Sequence, residues 1–140
     1  MATVETAEFT AALQAWGQRA HAATRDGVQE AGTQLKGDIQ DALRRREYPP
    51  VSPPGEPPAV RTGALADSVQ QRTVEQDGGF QERVYPSTVY ARIHELSGWA
   101  GKGHRSFLPK RPYVQPTLDA FAGDFRPIMI EAWRGALPGG

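Results

Sequence analysis

The chain contains no cysteine, which excludes a disulfide framework, a thiolate zinc site and a cysteine nucleophile together. It also lacks any excess of charge: 16 Lys and Arg stand against 16 Asp and Glu. With a pI near 6.8 it does not have the basic balance of a nucleic-acid-binding domain, where the pI exceeds ~9. No apolar run approaches the ~18 residues of a membrane span, so no membrane partner is expected. The first residues carry Glu5 and Glu8 where a secretory signal would place Lys or Arg, and the expectation is a soluble product of the cytoplasm. Ordinary chemical motifs are missing as well. His94-Glu95 lacks the second His that a zinc-protease helix needs, and Gly98 to Gly103 has a Lys among glycines without phosphate-loop spacing. No serine elbow occurs, and Asp67, Glu82 and Glu95 are acids that nothing in the sequence concentrates. The chain therefore reads as a non-enzyme without metal or cofactor.

What is present is size for one domain. The 140 residues match a typical domain length of ~100–150, enough to bury about two-thirds of the unfolded surface. Fifteen Gly and 12 Pro make up about a fifth of the chain, below the ~25–30% of disordered low-complexity sequence. A neutral balance also weakens repulsion between copies.

Apolar residues recur at Phe9, Leu13, Trp16, Ala20 and Ala23, then Val28, Ala31, Leu35, Ile39 and Leu43. Steps of three to five predict a helical segment over 1–47, with a bend or break near Asp26-Gly27. A helix of this length reaches ~50 Å, so it either folds back as a hairpin or projects toward a partner. Arg44, Arg45 and Arg46 suit its C-terminal end, and Pro49 ends it. Six prolines then fall within 48–60, which predicts a semi-rigid extended arm, either an inert linker or a strap laid over a neighbouring subunit.

An α+β core is expected over 61–137. Strands at 69–75 and 80–85 flank Asp77-Gly78-Gly79, the residues of a tight hairpin turn. Their alternation is poor, so one face is expected to be wet or to pair with another chain. Ser87 is expected to cap a short middle helix over 89–97, with Val89, Ile93 and Leu96 on one face and Gly98 as its stop. His94 is expected to hydrogen-bond on that helix's surface. Lys102, Arg105, Lys110 and Arg111 make 98–114 a basic loop, with Trp99, Phe107 and Tyr113 interleaved. A C-terminal helix begins near Pro116, is expected to kink or restart at Pro127, and gives way to a frayed end at 138–140.

Three stretches occur in a recognisable order. Pro53-Pro54-Gly55-Glu56-Pro57-Pro58-Ala59-Val60-Arg61-Thr62-Gly63-Ala64-Leu65-Ala66-Asp67-Ser68 resembles the PGxPPxxRTGxLxxS signature of a phage tail-component family acting at the head-tail junction. Tyr90 to Leu96, including Glu95, resembles its YAxxxExG helix, and Arg111-Pro112-Tyr113-Val114-Gln115-Pro116-Thr117-Leu118 resembles its RPFLxPAL segment. Ser97 is inserted before Gly98, and Tyr113 stands where Phe is commoner. The resemblance implies an α+β fold with a small antiparallel sheet packed by helices. It implies a tail-completion or head-tail joining subunit of the virion, assembled in the host cytoplasm as a homo-oligomeric ring, commonly a hexamer. Its partners would be a head-closure or connector protein on one side and the tail tube or a terminator protein on the other, with DNA crossing the lumen.

In such a ring the interface residues would be Pro53, Pro54, Gly55, Pro57, Pro58, Arg61, Thr62, Gly63, Leu65, Tyr90, Glu95, Arg111, Pro112 and Tyr113. Arg61 would hold the Gly63 turn through backbone carbonyls. Lys102, Arg105 and Lys110 would face DNA or a protein partner. The alternative is a small nucleic-acid-binding protein that uses the basic loop.

Overall fold

The computed structural model describes residues 6–137, so the end at 138–140 lies outside the described residues. The order of elements is α1 (Thr6–Arg44), α2 (Ala64–Asp67), β1 (Val69–Gln76), β2 (Gly79–Pro86), α3 (Ala91–Leu96), β3 (Gly98–Ala100), β4 (Ser106–Leu108) and α4 (Val114–Ala136). The architecture is α+β, with a long first helix, two small antiparallel sheets and a last helix packed along the first.

α1 is one unbroken helix of 39 residues. The expected break at Gly27 does not occur, because Gly27 serves another purpose. A Cβ there would lie 2.9 Å from both the Ala132 Cβ and the Met129 sulfur of α4. The missing side chain lets two helices approach closely, and the contact energy along that seam offsets the ~1 kcal/mol propensity penalty of Gly. Gly32 does the same one turn and a half later, where a Cβ would run into the Glu82 side chain of β2. Trp133 donates its indole N–H to the Thr24 hydroxyl at 2.9 Å, which fixes the antiparallel register of α1 and α4.

The Asp77-Gly78 turn has positive φ at both central residues, 54° and 74°, and sets the β1–β2 register from Gln76 opposite Gly79 to Val69 opposite Pro86. The face turned to α1 is polar along much of its length, which explains the weak alternation. Gln71 donates to the Gln29 carbonyl at 3.2 Å, and Gln29 donates to the Thr73 hydroxyl at 3.0 Å. These groups satisfy one another on a covered face instead of meeting water. The apolar core is small and sits at the C-terminal end of α1, where Ile39, Leu43, Ala66, Val69 and Tyr113 close around each other.

Five further expectations are corrected. The proline segment is a closed loop rather than an extended arm. Tyr48 and Val60 tie its neck, with Tyr48 N–H donating to the Val60 carbonyl at 2.9 Å and Val60 N–H to the Arg46 carbonyl at 2.7 Å. The middle helix starts two residues later than expected, and Val89 is fully exposed ahead of it. Ser87 does not cap that helix, because its N–H and hydroxyl both turn to the Ser68 carbonyl. The basic stretch contains a second hairpin, β3–β4, paired from Gly98 opposite Leu108 to Ala100 opposite Ser106. α4 passes through Pro127 without restarting.

Candidate assembly surface

The three motif segments, far apart in sequence, meet at one end of the molecule. Between the proline loop, α2, α3 and β4 lies an open groove of about 500 Å³. Its apolar lining includes Leu43, Val51, Pro58, Val60, Leu65 and Leu108, and Arg61, Thr62, Gly63, Tyr90, His94 and Arg111 complete the wall. Of the residues expected to form an interface, Pro58, Arg61, Thr62, Gly63, Leu65, Tyr90 and Arg111 line this groove.

The loop is held in place from two sides. Arg111 donates Nε–H to the Ser52 carbonyl at 2.9 Å, and Gly55 donates its N–H to the Lys110 carbonyl at 2.8 Å. Arg46, beside the loop's neck, forms an ion pair at 2.6 Å with Glu56 in the loop itself. Pro53, Pro54 and Gly55 are exposed and Pro57 is partly covered, and none of the four lines the groove. The turn at Gly63 takes a φ of 81°, the left-handed conformation that glycine adopts without penalty, and this begins α2. Arg61 does not hold that turn through carbonyls. Its guanidinium stacks 4.3 Å over the Tyr48 ring, a cation–π contact that fixes the groove's wall.

Beneath the groove, Glu95 caps α4. Its Oε2 accepts the N–H groups of Tyr113 and Val114 at 2.9 and 3.0 Å, and Oε1 accepts that of Gln115 at 2.9 Å. The first amides of a helix have no partner within it, and a carboxylate there also meets the positive end of the dipole. Tyr113, 1% exposed, fills the space below and donates its hydroxyl to the Ala91 carbonyl at 3.3 Å. Burial, then the Glu95 charge, pushes its phenol far above the ordinary range. Arg111 donates its N–H to the His94 carbonyl at 2.7 Å, which ties the segment before Pro112 to α3. Glu95 and Tyr113 therefore support the groove from behind instead of lining it.

His94 is the largest surprise of the site. It is partly buried, and its Nδ1 has no hydrogen-bond partner among the described residues, as is also true of the Ser52 hydroxyl. Burial lowers its proton affinity and the Arg111 charge lowers it further. The folded chain thus binds a proton at His94 less readily than the unfolded chain, whose ordinary value is 6.5. Stability from this group is complete above that value and declines as pH falls below it. Urea unfolding at pH 7.5 and 5.5 should show a smaller acid-side loss for His94→Gln than for the wild type; equal losses would contradict this account.

Lys102 and Arg105 lie away from the groove, exposed on the β3–β4 turn, and with Lys110 they make no ion pair among the described residues. Trp99 and Phe107 face each other across the hairpin at 5.4 Å between ring centres, both more than half exposed. No group of His, Asp or Glu among the described residues has metal-binding geometry. No described helix is long and apolar enough to cross a membrane.

A family model described as "Bacteriophage HK97-gp10, putative tail-component" matches residues 7–96, nearly two-thirds of the chain. The match takes in α1, the proline loop, the first hairpin and α3, and ends before the Arg111-Pro112-Tyr113 segment. Neither the curated proteins nor the solved structures searched contain a match. On this match the chain belongs to the HK97-gp10-like family and is a structural component of a bacteriophage tail.

Proposed function

We propose that the chain is a tail-completion or head-tail joining subunit that assembles as a ring, hexameric in the first instance, between the head connector and the tail. The convergence of the loop, α2, α3 and the Arg111 segment on one apolar groove carries this reading. A ring needs heterologous contacts, in which one surface of a subunit meets a different surface of the next. The groove supplies one such surface, and a chain of zero net charge does not resist packing against copies of itself.

In this reading the groove and its rim face a neighbouring subunit, the head-closure protein and tail tube contact the two ends of the ring, and DNA crosses the lumen without sequence recognition. The β3–β4 turn, bearing Lys102 and Arg105, faces either the lumen or a partner. Mass measurement and electron imaging of the purified chain test the proposal. Closed rings with a central opening are expected, and a chain that stays monomeric at ~100 µM would overturn it. In assembled particles, Lys102→Glu with Arg105→Glu should impair DNA passage if the turn lines the lumen, and should block head-tail joining if it faces protein.

The exposed Trp99–Phe107 pair, beside cations that make no ion pair among the described residues, also favours a second reading, sequence-tolerant binding of single-stranded nucleic acid. A gel shift by purified chain that weakens as salt rises would support that reading, and no shift below ~100 mM salt would remove it.

A further inference from the structure

The same helix that closes the core at one end is bare at the other. Every residue from Thr6 to Arg19 is exposed, and nothing among the described residues covers them. The reason is length. Trp133 bonds Thr24, so antiparallel α4 ends about one turn further on, near His21. The first hairpin also stops there, with His21 against Glu75 at 3.2 Å and Phe80 at 4.7 Å between rings. The fourteen residues before that level extend ~20 Å past the rest of the fold. They carry Phe9, Leu13 and Trp16 at i, i+4 and i+7, which are 57%, 51% and 42% exposed. Three large apolar anchors on one helical face match the pattern of a helix that lies in a groove.

We propose that this overhang docks into the groove of a second copy of the same chain, head to tail. The inference rests on the ring reading and supplies its contact. Groove and overhang lie at opposite ends of α1, ~58 Å long, so one molecule cannot join them, and each copy offers the next a complementary surface. Charge complements shape. The overhang carries Glu8 near its free end and Arg19 at its root, so its outer part offers an acid, whereas the groove's charged lining is Arg61 and Arg111 with no carboxylate.

The absence of cysteine makes the test clean. In the full chain, Leu13→Cys and Val51→Cys together place one thiol on the overhang and one on the exposed groove rim, where Val51 is 60% exposed. Mild oxidation of the assembled double variant should give a ladder of disulfide-linked oligomers on a non-reducing gel. Each single variant should stay at monomer mass. Leu13→Cys alone giving dimers would mean that two overhangs meet each other and would overturn the proposal. Rings seen by imaging, with no ladder, would overturn the docking while leaving the ring intact, whereas a chain without rings would remove both. As a second measurement, Leu13→Glu and Val51→Glu should each weaken self-association more than 10-fold with unchanged helical circular dichroism. Mixing the two should restore a one-to-one dimer, since each retains the half that the other lost, and no such dimer would count against head-to-tail docking.

Discussion

Replacing Tyr113 by Ala should destabilise the chain by about 3–5 kcal/mol, seen as a lower urea midpoint in equilibrium unfolding. Tyr113 is among the largest fully buried side chains and is packed with Ile39, Leu43, Ala66 and Val69. Its loss opens a cavity where α1, α2 and α4 meet, and so few large residues share this core that neighbours have little with which to refill it. Tyr113→Phe keeps the ring and gives up one long hydrogen bond, 3.3 Å to the Ala91 carbonyl. That change should remove about 1 kcal/mol or less. A Phe variant as unstable as the Ala variant would show that the hydroxyl, not the ring, carries the position.

Glu95→Ala should lower stability by about 2–3 kcal/mol, because three amides at the start of α4 lose a charged acceptor together. Glu95→Gln keeps one carbonyl oxygen and should retain roughly half of the effect, losing the charge that favours the helix N-terminus. Glu95 holds the backbone N–H of Tyr113, a group that Ala keeps, so either change loosens the same residue and leaves less for the other to remove. The double variant Glu95→Ala, Tyr113→Ala should therefore lose less than the sum of the single losses, by at least ~0.5 kcal/mol. Additive losses would mean that cap and core act independently. Unfolding curves for the four proteins settle the matter.

These two residues also show where sequence reading reaches and where it stops. The long apolar period from Phe9 to Leu43 was legible as a helix because period is a local property, and so was the turn at Asp77-Gly78. The same period did not reveal that half of the stripe is buried and half bare, since coverage depends on where α4 and the hairpin end. Gly27 and Gly32 read as weak points because their value lies in partners about 50 to 105 positions away along the chain. The cap at α4 was invisible for a similar reason: its carboxylate comes from α3, not from the turn before the helix. Three-residue strands such as β3 and β4 carry no usable alternation, so the basic stretch read as a loop. The proline segment pointed toward an arm because its closure rests on backbone groups of residues 46, 48 and 60, which composition does not express. The motif residues were found through resemblance, and their convergence on one groove only through the fold.

The cap and its neighbouring bond have one more consequence. The β3–β4 hairpin leaves the body after Glu95 and returns at Arg111, and both points are clamped, by Arg111 N–H on the His94 carbonyl and by Glu95 on the first amides of α4. Leu108 and Lys110 still belong to the groove and the proline loop, so the outer part, Trp99 to Phe107, is what stands clear of the frame. That outer part is a socket into which stretches of different length and charge can be spliced while the groove and both long helices keep their places, so one exposed surface can diversify without refolding another.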